Sequence, residues 1–413
     1  MLSQFTVKNY KSIRDEMTLD MQAAAISEHE DRIIKIIDEE NGEVIESFLP
    51  VSVIYGPNGG GKSNVLEALH TLEAKILRPV CAICPNDECG YKGRKISVKP
   101  FLFSDKTKNE PTEFEIFFRT NVAEYRYILH IKEENVVYES LDRIKFETGR
   151  RSALFERKED FIDLKGVFAK FKISNEISDT LPLLSYLGIT YKKNDVVSDV
   201  FEWFENEIDF LNYGNPLQEM RTAIAKSDDL KQLILKMIKE MNLDIDDFRV
   251  EEKEDDLEVY MKHNVDGYIQ EISLSDESSG TQKIFGLLPF IAKSLVLGTT
   301  LVIDELDAKI HPLLLKYVIE LYTNTLSNKK GGQLIFTSHD LSTMNNEIFR
   351  RDEIWFVAKG NQQNSKLYSL VEFKNKKGES VRKDAKFDKQ YLEGKYGADP
   401  YLRKIIDWSD VNA

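Results

Sequence analysis

Cysteine is scarce in this sequence, which has three among 413 residues, all within positions 81–89. An odd number of cysteines so close together cannot build a disulfide framework and is typical of a reducing compartment, so we expect a cytoplasmic protein. Cys81, Cys84 and Cys89 have the C-x2-C-x4-C spacing of a zinc knuckle, for which His70 is the nearest candidate fourth ligand. Three reduced thiols in a surface insertion are the alternative interpretation of the same spacing.

Long apolar runs are also missing. The most apolar long window, residues 285–303, is interrupted by Pro289 and Lys293 and leads directly into Asp304. A segment with these interruptions is a poor membrane span. The first residues lack the basic region and the apolar run of a signal peptide. We therefore expect no membrane partner.

Basic residues are outnumbered, with 56 lysines and arginines against 70 aspartates and glutamates and a formal net charge of −14. Because counterion release on nucleic acid requires a positive surface, this balance excludes a globally basic nucleic-acid binder, but it is compatible with a local basic patch. With 42% hydrophobic and 31% charged residues, the composition is globular. The length accommodates one large domain with insertions or two to three ordinary domains.

Apolar patterning predicts an N-terminal lobe over residues 1–150, with the cysteines in an insertion at 81–95. Period-two alternation predicts strands in this lobe. The strands cover residues 4–10, 51–55, 112–118 and 125–131, and the last two form an antiparallel pair. From about residue 155 the pattern becomes helical, so we expect a mostly helical insertion over residues 151–265.

The remaining residues, 266–413, alternate strands with helices and form the C-terminal lobe in this prediction. Apolar strands at 300–303 and 333–336 flank a helix at 312–322. Such alternation indicates a parallel sheet covered on both faces. The sequence therefore predicts an α/β fold with a mixed sheet, an antiparallel β lobe and a helical insertion.

A glycine-rich loop between the strand at 51–55 and the following helix matches the pattern G-x-x-x-x-G-K-[ST] at every specified position. Its residues are Gly56, Pro57, Asn58, Gly59, Gly60, Gly61, Lys62 and Ser63, and Asn64 follows. Glycines allow backbone N–H groups to turn toward phosphate oxygens at a helix N terminus. We expect Lys62 to neutralise the β- and γ-phosphates and Ser63 to bind Mg²⁺, so the chain binds a nucleoside triphosphate.

Acidic residues follow the apolar strand at 300–303, at the strand end where doubly wound sheets place ligand groups. We expect Asp304 to hold Mg²⁺ and Glu305 to orient or deprotonate the attacking water. In isolation the pair also fits a solvated acidic turn. His339 follows the next apolar strand in the same way, and we expect it to contact the γ-phosphate and sense whether it is present.

These three motifs together, GPNGGGKSN, LVIDELD and the Ser338–His339 strand end, resemble ABC-type ATPase heads of the branch that includes the SMC, RecF and OLD-like proteins. The resemblance implies a signature motif, which we align with Ser279, Gly280, Thr281 and Gln282; an alignment one residue earlier also fits. In such heads this motif contacts the γ-phosphate bound to a second subunit. The resemblance therefore implies a head-to-tail homodimer, with Asp307 in the loop that joins its two composite sites.

The segments at 350–357, 367–370 and 391–398 are similar to stand-alone bacterial ATPases of the RloA, AbiLi and AriA type, in the AAA15/AAA21 class. This resemblance implies an ATPase sensor or scaffold that controls a separate effector, encoded nearby, in abortive infection against phage. A phage-derived trigger or nucleic acid is a further implied partner. The segment with Lys11 and Ser12 matches the strand whose following loop lies near the adenine or ribose in this branch.

One departure from the ABC pattern concerns the Q-loop glutamine, because the sequence has no glutamine between Gln22 and Gln218. Either Asp105 or another polar group at 101–105 replaces it, or the coupling of Mg²⁺ to the insertion differs. A slow or partner-gated ATPase follows from this difference. The alternative function is a RecF- or Rad50-like ATPase acting on DNA, which would be expected to have a long coiled coil or a basic groove.

Overall fold

The structure is a computed structural model that describes residues 1–38, 41–79, 96–173, 177–211, 228–253, 256–375 and 377–398. Its strands and helices, in chain order, are β1 (Leu2–Lys8), β2 (Met17–Asp20), β3 (Ile34–Ile37), β4 (Val44–Phe48), β5 (Val51–Tyr55), α1 (Lys62–Leu77), α2 (Asp105–Lys108), β6 (Thr112–Arg119), β7 (Ala123–Lys132), β8 (Asn135–Lys145), β9 (Arg151–Lys158), β10 (Phe161–Leu164), α3 (Leu183–Thr190), α4 (Asp195–Asn206), β11 (Ile208–Leu211), α5 (Asp228–Glu240), β12 (Asp247–Lys253), β13 (Asp256–Val265), β14 (Tyr268–Ser273), α6 (Ser279–Leu297), β15 (Thr300–Ile303), α7 (Pro312–Thr323), β16 (Gln333–Thr337), β17 (Ile354–Lys359), β18 (Ser365–Ser369) and α8 (Phe387–Leu392).

A mixed sheet forms the centre of the fold, with the strand order β11-β15-β16-β5-β17-β18. Neighbouring strands are parallel except β17 and β18, which run antiparallel. The registers place Ile303 beside Phe336 and Thr337 beside Ile54, so the carboxyl ends of β5, β15 and β16 meet at one edge. The predicted α/β fold with a mixed sheet is confirmed.

Side chains of the central sheet alternate between two hydrophobic cores, because successive residues of a strand point to opposite faces. In β5, Val53 and Tyr55 lie in one core and Ile54 lies in the other. Ile303 and Val302 of β15 divide in the same way. Both faces are covered, which explains why these strands are uninterrupted apolar runs in the sequence.

An antiparallel sheet of seven strands, in the order β10-β9-β8-β7-β6-β1-β2, covers one face of the central sheet. The predicted pairing of β6 with β7 is confirmed, with Thr112 opposite Ile131. Leu69 and Leu72 of α1 share a core with Tyr127 of β7 and with Ile54. Helix α1, which begins at the phosphate-binding loop, is therefore packed between the two sheets.

Helices α5, α6 and α7 and the small sheet β12-β13-β14 cover the opposite face. Ile238, Phe285 and Val318, one from each helix, lie in the same core as Met261 of β13 and Phe336 of β16. Within the described ranges, no helix combines the length and apolarity that crossing a membrane requires.

The range 151–265 differs from the predicted helical insertion. It contains α3, α4 and α5, but β9 and β10 extend the antiparallel sheet and β11 is an edge strand of the central sheet. Strands β12 and β13 bury Phe248, Val259 and Met261. Charged residues alternate with these apolar ones, and this is the pattern of a half-buried strand, not of a helix.

Candidate functional site

The phosphate-binding loop connects β5 to α1. Two of its glycines have backbone angles that L side chains rarely adopt, a φ of +70° at Gly59 and of +108° at Gly61. Lys62 is the first residue of α1 and is buried. Its Nζ donates hydrogen bonds to the carbonyl oxygens of Gly56 at 2.9 Å and Pro57 at 3.3 Å. The ammonium therefore lies over the loop at a helix N terminus, where the helix dipole favours anions.

Two serine hydroxyls from distant parts of the chain support the loop. Ser365 Oγ lies 2.7 Å from Ser12 Oγ and donates to the Gly60 carbonyl oxygen at 2.6 Å. Asn64 Nδ2 donates to Ser12 Oγ at 2.7 Å. A Cβ atom at Gly61 would lie only 2.3 Å from Ser365 Oγ, so the hydroxyl pair requires glycine at this position. The sequence pointed to Ser12, but nothing in it singled out Ser365.

The polar residues that follow β1 organise the neighbouring loop. Asn9 and Lys11 both have positive φ, at 55° and 47°. The Lys11 ammonium forms an ion pair with the Glu67 carboxylate on α1. Asn9 is buried and accepts a hydrogen bond from the Phe101 N–H at 2.9 Å. Through Asn9, the loop after β1 is joined to Phe101, the first residue of the segment 101–105 that contains the candidate substitutes for the Q-loop glutamine.

Asp105, one of the candidate substitutes for the Q-loop glutamine, begins the short helix α2. Its carboxylate is fully exposed and pairs with Lys108 at 3.2 Å. The geometry therefore gives Asp105 no contact with the phosphate-binding loop among the described residues.

The acidic end of β15 is joined to β16 through one hydroxyl. Thr337 Oγ1 donates to Asp304 Oδ1 at 2.6 Å and accepts the Glu305 N–H at 2.7 Å. Glu305 has a φ of 51°, a conformation that is uncommon for residues other than glycine. The motifs of the sequence do not contain Thr337, although its place directly before the Ser338–His339 strand end is a signal that could have indicated it.

Asp307 and His339 come together at the same edge. The His339 N–H donates to Asp307 Oδ2 at 3.0 Å. Asp307 Oδ1 is buried and has no hydrogen-bond partner within the described part of the chain. A buried carboxylate oxygen without a partner is costly, so this atom marks a place where a ligand group would be stabilising.

Electrostatic interactions connect these strand ends to the phosphate-binding loop. Burial lowers the pKa of Lys62 below its usual range, and the carboxylates of Glu305, Asp304 and Asp307 oppose that shift. Loss of hydration and the Lys62 charge lower the pKa of His339, again against the same three carboxylates. Because these interactions weaken with distance, the five groups occupy one site. The structure thus brings Lys62, the acidic residues after β15 and His339 together.

The predicted signature segment starts helix α6. Ser278 is the N-cap, and its Oγ accepts the Thr281 N–H at 3.1 Å. Gln282 Nε2 donates to the carbonyl oxygens of Ser275 at 3.0 Å and Glu277 at 2.8 Å. Ser279 is exposed, so the helix N terminus faces solvent. An exposed, capped N terminus of this kind is suited to contact an anion on another molecule.

The cysteine cluster, Cys81, Cys84 and Cys89, lies outside the described residues. His70, its candidate fourth ligand, stacks on Phe210 with ring centroids 4.8 Å apart. Among the described residues, no group of three or more histidine, cysteine, aspartate or glutamate side chains is arranged to hold a metal ion. Zinc therefore gains no support from the described structure.

Magnesium requires fewer protein ligands, because it keeps several waters and binds through one or two side-chain oxygens and the substrate phosphates. Ser63 is exposed at the start of α1, next to Lys62. The Asp304 carboxylate is fixed by Thr337 and lies within the electrostatic reach of Lys62. A hydroxyl and a carboxylate are hard oxygen donors, so these residues fit a magnesium ion bound together with phosphates.

A family model described as "AAA domain, putative AbiEii toxin, Type IV TA system" matches residues 51–345, well over half of the chain. This chain belongs to that AAA domain family. The match begins at the first residue of β5 and ends beyond His339, so the AAA domain contains the phosphate-binding loop, the acidic strand end and the histidine. No curated protein sequence matches the chain.

Solved structures similar to this AAA domain protein include an SMC head domain from Thermotoga maritima. It is 16% identical with a TM-score of 0.43, over 89% of this chain and 98% of that one. An SMC head bound to the C-terminal winged-helix domain of ScpA is 14% identical with a TM-score of 0.42, over 89% and 97%. An SMC head with an extended coiled coil, bound to the C-terminal domain of ScpA derived from Pyrococcus furiosus, is 14% identical with a TM-score of 0.41, over 89% and 96%.

Proposed function

We propose that this protein binds ATP with Mg²⁺ and hydrolyses it to ADP and phosphate in the cytoplasm. One observation carries the proposal: the phosphate-binding loop, the acidic end of β15 and His339 share one edge of the central sheet and one electrostatic field. Phosphoryl transfer depends mainly on positioning and on charge stabilisation, and this edge provides both.

The proposed roles follow the positions of the side chains. The backbone N–H groups of the loop and Lys62 hold the β- and γ-phosphates, while Ser63 and Asp304 hold Mg²⁺. The metal ion, when bound, neutralises charge on the phosphate oxygens. Glu305 orients the attacking water and accepts its proton, and His339 contacts the γ-phosphate.

We propose a head-to-tail homodimer as the active assembly. Ser279 and the residues that follow, Gly280, Thr281 and Gln282, would contact the γ-phosphate held by the second copy. The exposure of Ser279 at the capped N terminus of α6 supports this role, since a helix N terminus attracts phosphate. Asp307, whose Oδ1 is unpartnered in the described structure, would join the two composite sites.

We propose further that ATP turnover controls a separate effector protein, encoded nearby, in abortive infection against phage. The description of the matching family, which names a toxin and a toxin–antitoxin system, supports this class of role. A phage-derived component or nucleic acid would be the trigger. This finer proposal extends the RloA, AbiLi and AriA resemblance of the C-terminal segments.

Glu305→Gln tests the enzymatic proposal, because it keeps the shape of the side chain and removes the base. We expect ATP binding to persist, steady-state hydrolysis to fall by about a hundredfold or more, and an ATP-bound dimer to accumulate in gel filtration with light scattering. Hydrolysis at the wild-type rate would overturn the role of Glu305. An ATP-dependent shift of duplex DNA at physiological salt would favour the DNA-maintenance alternative instead.

The effector proposal has its own test. The gene is co-expressed with each neighbouring gene, and cell toxicity and phage plating are measured for the wild type and for Glu305→Gln. We expect one neighbour whose toxicity depends on this protein and on an intact Glu305. No effect of any neighbour on toxicity or plating would overturn the effector role while leaving the ATPase activity intact.

A further inference from the structure

The loop after β15 contains two non-glycine residues in the left-handed backbone conformation, Glu305 with a φ of 51° and Lys309 with a φ of 63°. This conformation is strained for residues that carry a Cβ atom and persists where the surroundings hold it. Glu305 is also the proposed base, so whatever holds its backbone sets the direction of its carboxylate.

Both backbone polar groups of Glu305 are bound by side chains distant in sequence. Its N–H donates to Thr337 Oγ1 at 2.7 Å, and its carbonyl oxygen accepts from Lys283 Nζ at 2.6 Å. Thr337 belongs to β16, whereas Lys283 belongs to α6. The Glu305 peptide is therefore fixed from two independent elements.

The other strained residue of this loop also contacts α6. A Cβ atom added at Gly280 would lie 2.9 Å from the Lys309 carbonyl oxygen, so the first turn of α6 packs directly on the loop backbone. Gly280 and Lys283 are three residues apart and lie on the same side of the helix. The first five residues of α6, which include the signature segment, thus touch the loop at its two left-handed residues.

The Lys283 side chain is partly buried and so has lost part of its hydration. Burial and, to a smaller extent, the Lys309 charge lower its pKa to about 8, and the Asp307 and Asp304 carboxylates oppose that shift. Its contact with the Glu305 carbonyl is therefore made in a partly desolvated position beside the acidic residues, where a hydrogen bond is stronger than in water.

We infer that Lys283 is a positioning residue that keeps the Glu305 peptide in its left-handed conformation and so couples the start of α6 to the hydrolytic step. This inference rests on the proposed ATP hydrolysis. If α6 moves when its N terminus meets the nucleotide on a second copy, the contact passes that movement to Glu305. Turnover would then depend on a residue that touches neither ATP nor Mg²⁺.

The test compares Lys283→Met, which removes the donor, with Lys283→Arg, which retains one. Lys329→Gln is the matched control, since it removes the charge of an exposed lysine that lies outside the loop after β15. For the full-length chain, kcat and KM are measured for ATP hydrolysis, and equilibrium affinity is measured with a fluorescent ATP analogue. Far-UV circular dichroism verifies folding, and Lys283→Leu, which also lacks a donor, replaces Lys283→Met if the latter does not fold.

We expect kcat of Lys283→Met to fall by about tenfold or more, with KM and analogue affinity changed by less than about threefold, because only alignment is lost. Lys283→Arg should recover most of the rate, and Lys329→Gln should match the wild type. An unchanged kcat in Lys283→Met, an equal loss in Lys329→Gln, or a loss confined to affinity would overturn the inference. Glu305→Gln distinguishes a failure of this inference from a failure of the proposed function. If Glu305→Gln hydrolyses ATP like the wild type, the proposed function itself is wrong.

Discussion

Thr337 donates its hydroxyl hydrogen to Asp304 Oδ1 across 2.6 Å, from one parallel strand to the next. The same oxygen accepts the Glu305 N–H at 2.7 Å, so one hydroxyl fixes both the proposed magnesium ligand and the proposed base. The register explains the contact: Ile303 lies beside Phe336, and the residues that follow them meet at the end of the sheet. Strand pairing, and not local sequence, creates this part of the site.

Thr337→Val should therefore impair hydrolysis more than binding. The substitution keeps the branched shape but leaves Asp304 Oδ1 and the Glu305 N–H without their partner. We expect kcat for ATP to fall by about tenfold to a hundredfold, as for other misaligned catalytic groups, and the Mg²⁺ concentration for half-maximal rate to rise. Steady-state hydrolysis over a series of Mg²⁺ concentrations measures both effects.

Two variants control this prediction. Thr337→Ser keeps the hydroxyl and should retain most of the activity. Thr299→Val makes the same chemical change at another buried threonine, whose hydroxyl has no hydrogen-bond partner within the described structure, and should behave like the wild type. Equal activity of Thr337→Val and Thr299→Val would show that the Thr337 hydroxyl has no part in the site.

The strand ends of this site could be predicted because each strand is an apolar run that stops at a polar residue. The apolar run in β15 stops directly before Asp304, and the apolar run in β16 stops directly before Thr337. The glycine loop was equally visible, since its residues are consecutive. What the sequence could not show was the register between strands, which decides that Thr337 faces Asp304.

Contacts between distant segments account for the other omissions. Ser365 reaches Gly60 from about three hundred residues further along the chain, and serine is too common to attract notice. Lys283 directly follows the signature segment, and nothing in the sequence indicates its contact with the Glu305 carbonyl oxygen. The helical insertion was assigned too widely because acidic residues between Phe248 and Met261 obscured their alternation.

Gly61→Ala tests whether the serine pair fixes the loop. The new Cβ would lie 2.3 Å from Ser365 Oγ and 2.7 Å from Ser12 Oγ, at a φ of +108°. The loop must then shift, and we expect affinity for a fluorescent ATP analogue to fall by about tenfold or more, equivalent to at least about 1.4 kcal/mol.

Gly149→Ala is the matched control for this change. Gly149 also has a positive φ, +60°, but nothing lies within 4 Å of its added Cβ atom. It should lower stability slightly through backbone strain and leave nucleotide affinity unchanged. If both variants bind the analogue like the wild type, the steric argument for Gly61 is wrong.

Glu353 gives a prediction about stability and pH that is independent of nucleotide. It is buried directly before β17, where Oε2 accepts the Arg350 N–H at 2.8 Å and Oε1 has no partner among the described residues. Burial raises the pKa of Glu353 to about 8, from 4.5 for an unperturbed glutamate. Between pH 4.5 and pH 8, Glu353 is therefore mostly protonated in the folded protein and mostly ionised in the unfolded chain.

The sign of the pH effect follows from that proton. Because the folded state binds more protons, the contribution of Glu353 to the free energy of unfolding is complete below pH 4.5 and declines as pH rises toward 8. Glu353→Gln cannot ionise, so between pH 6 and 9 its Tm should fall by several degrees less than that of the wild type. Calorimetry at both pH values measures this difference, with Glu147→Gln, at an exposed carboxylate, as the control that should follow the wild type. Parallel Tm curves for the wild type and Glu353→Gln would show that Glu353 is already ionised in the folded protein.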